Sequence, residues 1–287
     1  MQKALIITIS LMLLSTLASC MDKSQLLKGY VGEILMLYPD PGGDSYESCN
    51  LIYAPKEDIY RYINRGKGIS NVSFSQDKGK ILGLGGDFSI IEYDLKSNSS
   101  IVVYKGDEKK EASYDYVKYM PKSDCISFTA YPNLYIFNRK TKERILITQA
   151  DGEYAWSKDG KLLFYSKTGE NQVCCLNMES KKSTLYIDNG YDPQLSPSND
   201  YIVFKKEDRR LVIREIQTGK EWFYKSPLEI YYYKFSPDDK QLAIMELTPK
   251  NTLFNKTSLT GWDFKKNQKV AIIKELPDGA YSNFDWK

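Results

Sequence analysis

The sequence predicts an all-β fold, a six-bladed β-propeller of four-stranded antiparallel blades. Large apolar or aromatic residues recur at intervals of roughly 40 residues along the chain of 287 residues, and polar turns and β-forming runs follow most of them. A period of roughly this length, made of short strands and turns, is typical of a propeller blade. The repeat fills the chain almost end to end, so we predict one domain. The six anchors are Phe74, Tyr119, Trp156, Leu195, Phe235 and Trp286.

The third repeat shows the predicted blade most clearly, with strands named a to d from the axis outward. Short runs of β-branched and aromatic residues between turn residues favour strands. The polar turn after the anchor, Ser157–Lys161, has a counterpart at Ser236–Lys240 in the fifth repeat. In the third repeat strand a ends at Trp156, and strands b, c and d are Lys161–Ser166, Gln172–Asn177 and Ser183–Ile187.

The two ends of the chain are predicted to complete the sixth blade together. The region 33–64 contains strands b, c and d without an anchor before them, whereas residues 283–286 contain an anchor with nothing after it. Joining the C-terminal strand to the N-terminal three closes the ring and leaves only short, protected edges. The N-terminal strands are predicted at Glu33–Tyr38, Cys49–Ala54 and Ile59–Asn64.

The N-terminus is predicted to be an export signal. A short basic start precedes the apolar run Ala4–Leu14, which is too short to span a bilayer. The following Leu17–Cys20, Leu-Ala-Ser-Cys, resembles the lipobox of bacterial lipoproteins. The resemblance implies cleavage after Ser19 and acylation of Cys20, which would anchor the protein in a bacterial cell envelope. The alternative is an ordinary signal peptide with an incidental cysteine. The predicted parts are a signal at 1–19, a tether at 20–29 and the propeller at 30–287.

The other cysteines are expected to be free thiols that pack as small apolar side chains. The predicted strands place Cys49 and Cys125 in blades that are not neighbours. Cys174 and Cys175 are consecutive in a strand and therefore point to opposite faces.

The repeat pattern resembles the TolB-like and WD40-like six-bladed propellers. An aromatic anchor is followed by a turn like Ser-Pro-Asp-Gly-Lys, as at Ser236–Lys240, and then by two strands separated by a turn. The turns Met120–Asp124 and Ser196–Asp200 are degenerate versions of it. The resemblance covers about residues 30–287 and implies the fold. The additional N-terminal domain of TolB is not expected here, because the first predicted strand begins about a dozen residues after Cys20.

The composition excludes several kinds of chemistry. The chain has no histidine, which excludes Ser-His-Asp and Cys-His catalysis and histidine-based metal sites. Its 40 basic and 37 acidic residues are nearly balanced, so nothing indicates a nucleic acid as partner. We therefore predict no catalytic residues, no cofactor and no metal.

Carboxylates are the catalytic groups that remain. Two or three carboxylates around a propeller axis could hydrolyse glycosides. The candidates precede strand a in four repeats, and the alternative is that they are solvated loop acids. They are Asp115, Glu153, Asp192 and Glu229.

Loop lengths predict which face of the ring binds a ligand. In a four-stranded meander the a–b and c–d turns share one face, and the b–c and d–a loops share the other. The long loops all belong to the second face, and insertions on one face often mark a binding surface, although neutral drift would give the same pattern. The long loops are Pro39–Ser48, Lys105–Tyr114, Leu247–Thr257 and Lys274–Ser282.

The axial end of this second face is predicted to be an aromatic and acidic pocket. Tyrosine offers flat apolar area with a terminal hydroxyl, which suits a peptide or a sugar. The alternative is that half of the tyrosines there are core residues of strand a. The candidate ligand-binding residues are Tyr116, Tyr154, Asp192, Tyr232, Asp115 and Glu153.

The first face is basic at its c–d turns. Basic clusters attract anionic headgroups, whereas lysine beside an outermost strand discourages edge pairing, and we favour the second explanation. The residues concerned are Arg139, Lys140, Lys142, Arg144, Lys181, Lys182, Lys265 and Lys266.

Together these observations predict an exported, lipid-anchored propeller of a bacterial cell envelope that binds a protein or peptide of the envelope without catalysis. Its membrane contact is expected through the lipid on Cys20. One alternative is a carbohydrate-active enzyme that uses channel carboxylates. Another is a sensor or scaffold with no pocket.

Overall fold

A computed structural model describes residues 27, 29–44, 47–106, 114–248, 256–276 and 283–287. Within these ranges the strands β1 to β24 form six four-stranded antiparallel sheets, each of which is one blade of a ring. The predicted all-β, six-bladed propeller is therefore confirmed. The described ranges contain no helix with the length and apolar character needed to cross a membrane.

The strands follow the predicted order from the axis outward. The N-terminal strands are β1 (Ile34–Pro39), β2 (Ser48–Ala54) and β3 (Ile59–Ile63). Blade one holds β4 (Ser70–Phe74), β5 (Lys80–Leu84), β6 (Ser89–Asp94) and β7 (Ser99–Lys105). Blade two holds β8 (Asp115–Tyr119), β9 (Cys125–Ala130), β10 (Asn133–Asn138) and β11 (Arg144–Gln149). Blade three holds β12 (Asp151–Trp156), β13 (Leu162–Ser166), β14 (Gln172–Asn177) and β15 (Ser183–Asp188).

Blade four holds β16 (Tyr191–Leu195), β17 (Tyr201–Glu207), β18 (Arg210–Glu215) and β19 (Glu221–Lys225). Blade five holds β20 (Glu229–Phe235), β21 (Gln241–Thr248), β22 (Lys256–Asp263) and β23 (Gln268–Leu276). Blade six joins the C-terminal β24 (Phe284–Trp286) to β1, β2 and β3.

The closure of the ring has the predicted partners. β24 pairs antiparallel with β1, with Trp286 opposite Ile34. The backbone N–H of Glu33 donates to the carbonyl of Lys287 at 2.8 Å, and the Lys287 N–H donates back at 2.9 Å. Trp286 is 4% exposed, and its Nε1 donates to the Val31 carbonyl at 2.9 Å. The first and the last strand of the described residues thus lie in one sheet.

Hydrogen bonds within the polar turn that follows most anchors explain why the sequence of this turn repeats. In blade three the Ser157 hydroxyl donates to Asp159 Oδ1 at 2.6 Å and accepts the Leu162 N–H at 2.8 Å. In blade five Ser236 donates to Asp238 Oδ1 at 2.8 Å. These short side chains satisfy backbone groups that a tight turn leaves without partners. The Ser-x-Asp pattern therefore marks the a–b turn.

The core lies between neighbouring blades. Tyr201 and Val203 of blade four form one buried cluster with Phe235, Trp262 and Phe264 of blade five. Strand alternation exposes an apolar side chain on each face of a blade. Packing of adjacent faces removes both from water, which fixes each blade against the next.

Some predictions concern residues at the margin of the described ranges. The export signal, Cys20 and most residues of three of the long loops lie outside them, whereas the loop Pro39–Ser48 lacks only residues 45 and 46. Leu27, inside the segment predicted as a tether, is buried in the same cluster as Trp286. The cysteines of the propeller are free, and Cys49 and Cys174 are buried.

Replacing Trp286 by alanine should destabilise the ring. The substitution removes a buried aromatic ring from the closing strand, and such truncations cost about 3–5 kcal/mol of unfolding free energy. Urea unfolding of the variant and the wild type measures the loss. The matched control is Phe223→Ala on an outermost strand, where the side chain is 57% exposed and the expected change is within about 0.5 kcal/mol. Equal losses in the two variants would contradict a closing role for Trp286.

Candidate functional site

The innermost strands line an axial channel with two tiers of side chains. The upper tier consists of the residues directly before the anchors, and the lower tier consists of the residues three positions before the anchors. The two sets are two residues apart, and side chains of a strand alternate with a period of two. The upper tier consists of Ser73, Lys118, Ala155, Gln194, Lys234 and Asp285. The lower tier consists of Asn71, Tyr116, Glu153, Asp192, Tyr232 and Asn283.

The upper tier opens into a cavity of about 650 Å³. Residues of the a–b turns form its mouth, so the wide end of the channel lies on the face of the short turns. The mouth includes Gln76, Lys122, Lys158, Pro197 and Pro237. A cavity of this volume is in the range of ligand-binding pockets. The anchors Phe74, Tyr119, Trp156, Phe235 and Trp286 give it an aromatic wall.

The lower tier narrows the other end of the channel. Tyr116 and Tyr232 both lie at this end. Together with Glu153 and Asp192 they line a void of only about 10 Å³. A ligand that enters from the wide end therefore stops at this tier.

A buried cluster of charges lies where the two tiers meet. Lys118 Nζ is 2.5 Å from Glu153 Oε1, and Lys234 Nζ is 3.2 Å from the same oxygen. Lys234 also donates to Gln194 Oε1 at 2.9 Å, and Lys118 donates to the carbonyl of Tyr154. The two lysine side chains are 15% exposed. Two cations therefore share one carboxylate.

The protonation of this cluster follows from its surroundings. Burial opposes ionisation of Glu153, but Lys118 and Lys234 outweigh that effect and lower the pKa of Glu153 to about 2. Burial lowers the pKa of Lys118 to about 8, against the attraction of Glu153 and with the repulsion of Lys234. At neutral pH Glu153 is therefore ionised and acts only as an acceptor of hydrogen bonds.

Breaks in strand register shape the lower tier. The pairing of β4, β8 and β16 with the next strand is irregular around Asn71, Tyr116 and Asp192. These three residues have φ angles of 50°, 50° and 53°. Asparagine and aspartate tolerate the left-handed region, whereas tyrosine rarely enters it. A bulky residue held in that region stores backbone strain of about 1–3 kcal/mol, which is commonest at functional sites.

The Asp192 side chain leaves no room for a larger residue than glycine at position 152 in blade three. The φ of Gly152 is 68°, and a Cβ there would collide with Asp192 Oδ1. The same oxygen accepts the Glu153 N–H at 2.9 Å, and Asp192 Oδ2 lies 3.3 Å from Lys205 Nζ. Burial raises the pKa of Asp192, although Lys205 opposes the shift. Asp192 thus links blades three and four behind the narrow end.

The structure brings four of the six predicted binding residues together at the narrow end, namely Tyr116, Glu153, Asp192 and Tyr232. Asp115 lies beside them, and its Oδ1 accepts from Asn71 Nδ2 at 3.1 Å. Burial raises the pKa of Asp115.

Tyr154 differs from the other predicted binding residues. It is fully buried, and its hydroxyl donates to the Tyr116 carbonyl at 2.6 Å. It therefore supports the wall from behind. On the same face a cleft of about 290 Å³ is lined by Asp151, Lys167, Glu170 and Tyr191, among others. Ligand binding at this face stays a prediction.

Sequence reasoning missed the residues of the upper tier. Lys118, Gln194, Lys234 and Asp285 were not among the candidates, because the search covered the loops ahead of strand a. The signal was present in the chain, since each of these residues directly precedes an anchor. An anchor that packs between blades turns its neighbour toward the axis.

Comparisons with known proteins extend the description of the fold. No family model and no curated protein sequence matches the chain. TolB from Acinetobacter baumannii is similar in structure, with 16% identity and a TM-score of 0.71 over 89% of this chain and 66% of that chain. The Swd1 β-propeller domain of Myceliophteria thermophila has 10% identity and a TM-score of 0.57, over 88% of this chain and 89% of that chain.

A protein described as a putative enzyme also has a similar structure. A putative 6-phosphogluconolactonase from Bacteroides uniformis has 11% identity and a TM-score of 0.56, over 86% of this chain and 84% of that chain. At such identities the likeness concerns the fold alone, and it confirms the predicted TolB-like and WD40-like propeller. The chain spans just under two thirds of the TolB chain that it matches.

Replacing Glu153 by glutamine should destabilise the protein. The change leaves two buried lysines without their shared carboxylate, and removing one partner of a buried pair costs about 3–5 kcal/mol. The pKa of Glu153 is about 2 in the folded protein and 4.5 in a model peptide. Its contribution is therefore complete above pH 4.5 and is lost as the pH falls toward 2. Unfolding free energies of both proteins between these pH values measure the effect.

The control for this experiment is Glu207→Gln. Glu207 pairs with Arg210 at 3.4 Å, but its side chain is 71% exposed. Exposed pairs contribute about 0–1 kcal/mol. The wild type and the Glu153 variant should differ less in unfolding free energy as the pH falls. If the difference stays constant down to pH 2, the role assigned to the carboxylate is wrong.

Proposed function

We propose that this protein is a non-catalytic binding module that captures a protein or peptide partner at the wide end of its channel. The cavity of about 650 Å³ carries the proposal. It combines aromatic walls with lysines at its mouth and floor. Aromatic anchors in concave sites supply much of the energy of protein recognition. The short a–b turns around the mouth present a preformed surface, which lowers the entropic cost of binding.

Glu153 and Asp285, the two carboxylates of the channel that lie nearest the wide cavity, support binding over catalysis. Glycoside hydrolysis needs one carboxyl that holds a proton near neutral pH and a second that is ionised. Glu153 is ionised and paired with Lys118 and Lys234. Asp285 accepts the backbone N–H of Phe74 at 2.8 Å. Neither is placed as a proton donor to a ligand in the cavity.

The proposed location is a bacterial cell envelope, with the propeller anchored through a lipid on Cys20. Support comes from the apolar run followed by Leu17–Cys20 and from the fold that the chain shares with a bacterial TolB. Two or more acyl chains anchor a protein stably, whereas a single chain binds reversibly. A partner in the same envelope is thus held at high local concentration.

Replacing Cys20 by serine should release the protein from membranes, because the acceptor of the lipid is lost. Fractionation of the cells followed by mass spectrometry of the N-terminus measures the effect. The control is Cys49→Ser, which removes a thiol of the propeller and leaves the membrane fraction unchanged. A Cys20 variant that still sediments with membranes and still lacks residues 1–19 would contradict the lipid anchor.

The face that binds the partner can be identified by charge reversal. Lys122→Glu combined with Lys158→Glu changes two exposed lysines at the mouth. We expect recovery of the partner to fall about 10-fold, because opposite charges at a rim guide association. The measurement is chemical cross-linking in the protein's own membranes, followed by quantitative mass spectrometry of the captured chains.

A matched variant tests the face that the sequence analysis predicted. Tyr231→Ala removes a tyrosine at the narrow end that is 36% exposed and packs edge-on against Tyr232. We expect little change in recovery of the partner. A larger loss from Tyr231→Ala than from the lysine pair would place the partner at the narrow end and contradict the proposal.

A further inference from the structure

We propose that the partner inserts the carboxyl-terminal end of a polypeptide into the wide end of the channel, where Lys118 and Lys234 bind its terminal carboxylate. The inference rests on the proposed docking of a partner at this end. It goes further by naming the chemical group that is recognised and the side chains that recognise it.

The first argument is the number of donors on the two lysines. A lysine ammonium group has three N–H donors. Within the described residues Lys118 uses two of them, for Glu153 Oε1 and the Tyr154 carbonyl. Lys234 also uses two, for the same Glu153 oxygen and for Gln194 Oε1. Each ammonium keeps one donor, and both groups are held in place by Glu153. A carboxylate has two oxygens and fits two such donors.

The second argument is the charge of the cavity. Among the described residues, five lysines line it, but only one acidic side chain, that of Asp285, does so. Asp285 is itself occupied, because Oδ2 accepts the Phe74 N–H at 2.8 Å and Oδ1 accepts the Trp286 N–H at 3.1 Å. The cavity therefore has an excess of positive charge. The lysines are Lys118, Lys122, Lys158, Lys234 and Lys287.

The third argument is the closed floor. Tyr116 and Tyr232 line a void of only about 10 Å³ beyond the lysines, so an extended chain cannot pass through to the other face. A chain end needs room for one strand, whereas an internal loop needs room for two. A closed channel with cations at its floor thus favours a terminus over a loop. Capture of a C-terminal carboxylate is a known mode of peptide recognition.

The fourth argument is the apolar wall above the lysines. Phe74, Trp156 and Phe235 line the cavity between its mouth and its floor. The side chains that precede the terminal carboxylate would pack against the parts of these rings that face the cavity, since each of these residues is 3–8% exposed. The site therefore favours a C-terminus whose last residues are apolar or aromatic.

A phospholipid headgroup is the competing anion. The exposed c–d lysines of this face, such as Lys182, could meet a flat anionic membrane. A membrane surface does not, however, account for two lysines that are only 15% exposed at the floor of a cavity. The depth of the lysines thus favours the peptide.

The test uses the full-length protein in detergent and two libraries of synthetic random hexapeptides. One library ends in a free carboxylate, and the other is identical but amidated. Enrichment on immobilised protein is followed by fluorescence-polarisation titration of the most enriched peptides. We expect enrichment from the free-acid library, with apolar residues at the end, and a loss of about 10-fold or more in affinity when a selected peptide is amidated.

Single variants assign the effect to the two lysines. Lys118→Met and Lys234→Met each leave Glu153 paired with the other lysine, and thermal unfolding confirms that they fold. Each should weaken the free-acid peptide about 10-fold or more and leave the amidated peptide unchanged. The control is Lys182→Met, an exposed lysine on the same face, which should leave both affinities unchanged.

Several results would overturn the inference. Equal affinities for the free-acid peptide and the amidated peptide would exclude recognition of the terminal carboxylate. In that case, cross-linking of the partner at the mouth would still support docking at this end. Failure of both libraries to enrich any peptide would reject peptide termini as the ligand. Binding of phosphatidylglycerol vesicles that depends on Lys118 and Lys234, without peptide binding, would identify a headgroup site. The comparison of acid with amide on wild-type protein decides the inference even if the variants do not fold.

Discussion

The pairing of β24 with β1 holds the six blades in a ring, and the shape of the channel depends on it. The last residues of the chain also contact the neighbouring blade one. Asp285 accepts the N–H of Phe74 in blade one at 2.8 Å, and Lys287 Nζ donates to the Ser75 carbonyl at 2.6 Å. Trp286 fills the space beside Tyr30, with the two rings parallel and 6.1 Å apart. Because the closing strand also forms part of the channel wall, closure and cavity are one structural feature.

The buried charges meet at the axis because the ring is closed. Lys118, Glu153 and Lys234 belong to blades two, three and five, and only the curvature of the ring brings them together. Replacing a buried ion pair by apolar residues is often neutral or stabilising, because desolvation offsets the attraction of the charges. Stability alone therefore does not account for two lysines and one carboxylate at the floor of an open cavity. A site that holds an anion does account for them, since Glu153 positions both ammonium groups and neutralises only one.

The narrow end is shaped by backbone conformation more than by side-chain size. Register breaks place Asn71, Tyr116 and Asp192 in the left-handed region, and Gly152 leaves room for the Asp192 carboxylate. These features turn the lower tier toward the axis and place Tyr116 and Tyr232 around the same small void. The strain at Tyr116 is compensated by contacts such as the bond that its carbonyl accepts from Tyr154 at 2.6 Å. The result is a narrow floor under the open cavity.

The sequence by itself determined the fold class, the number of blades and the closure, because all three depend on patterns that repeat locally. Alternation, the anchor period and the turn at Ser157–Lys161 are readable without any knowledge of distant contacts. Sequence also indicated Tyr116, Glu153, Asp192 and Tyr232, since they lie just ahead of the anchors. The tertiary structure alone decided that the channel opens at the a–b turns and that Lys118 and Lys234 share an oxygen of Glu153. Distances between blades depend on the radius of the ring and on local bulges, and neither is encoded in the spacing of residues along one strand.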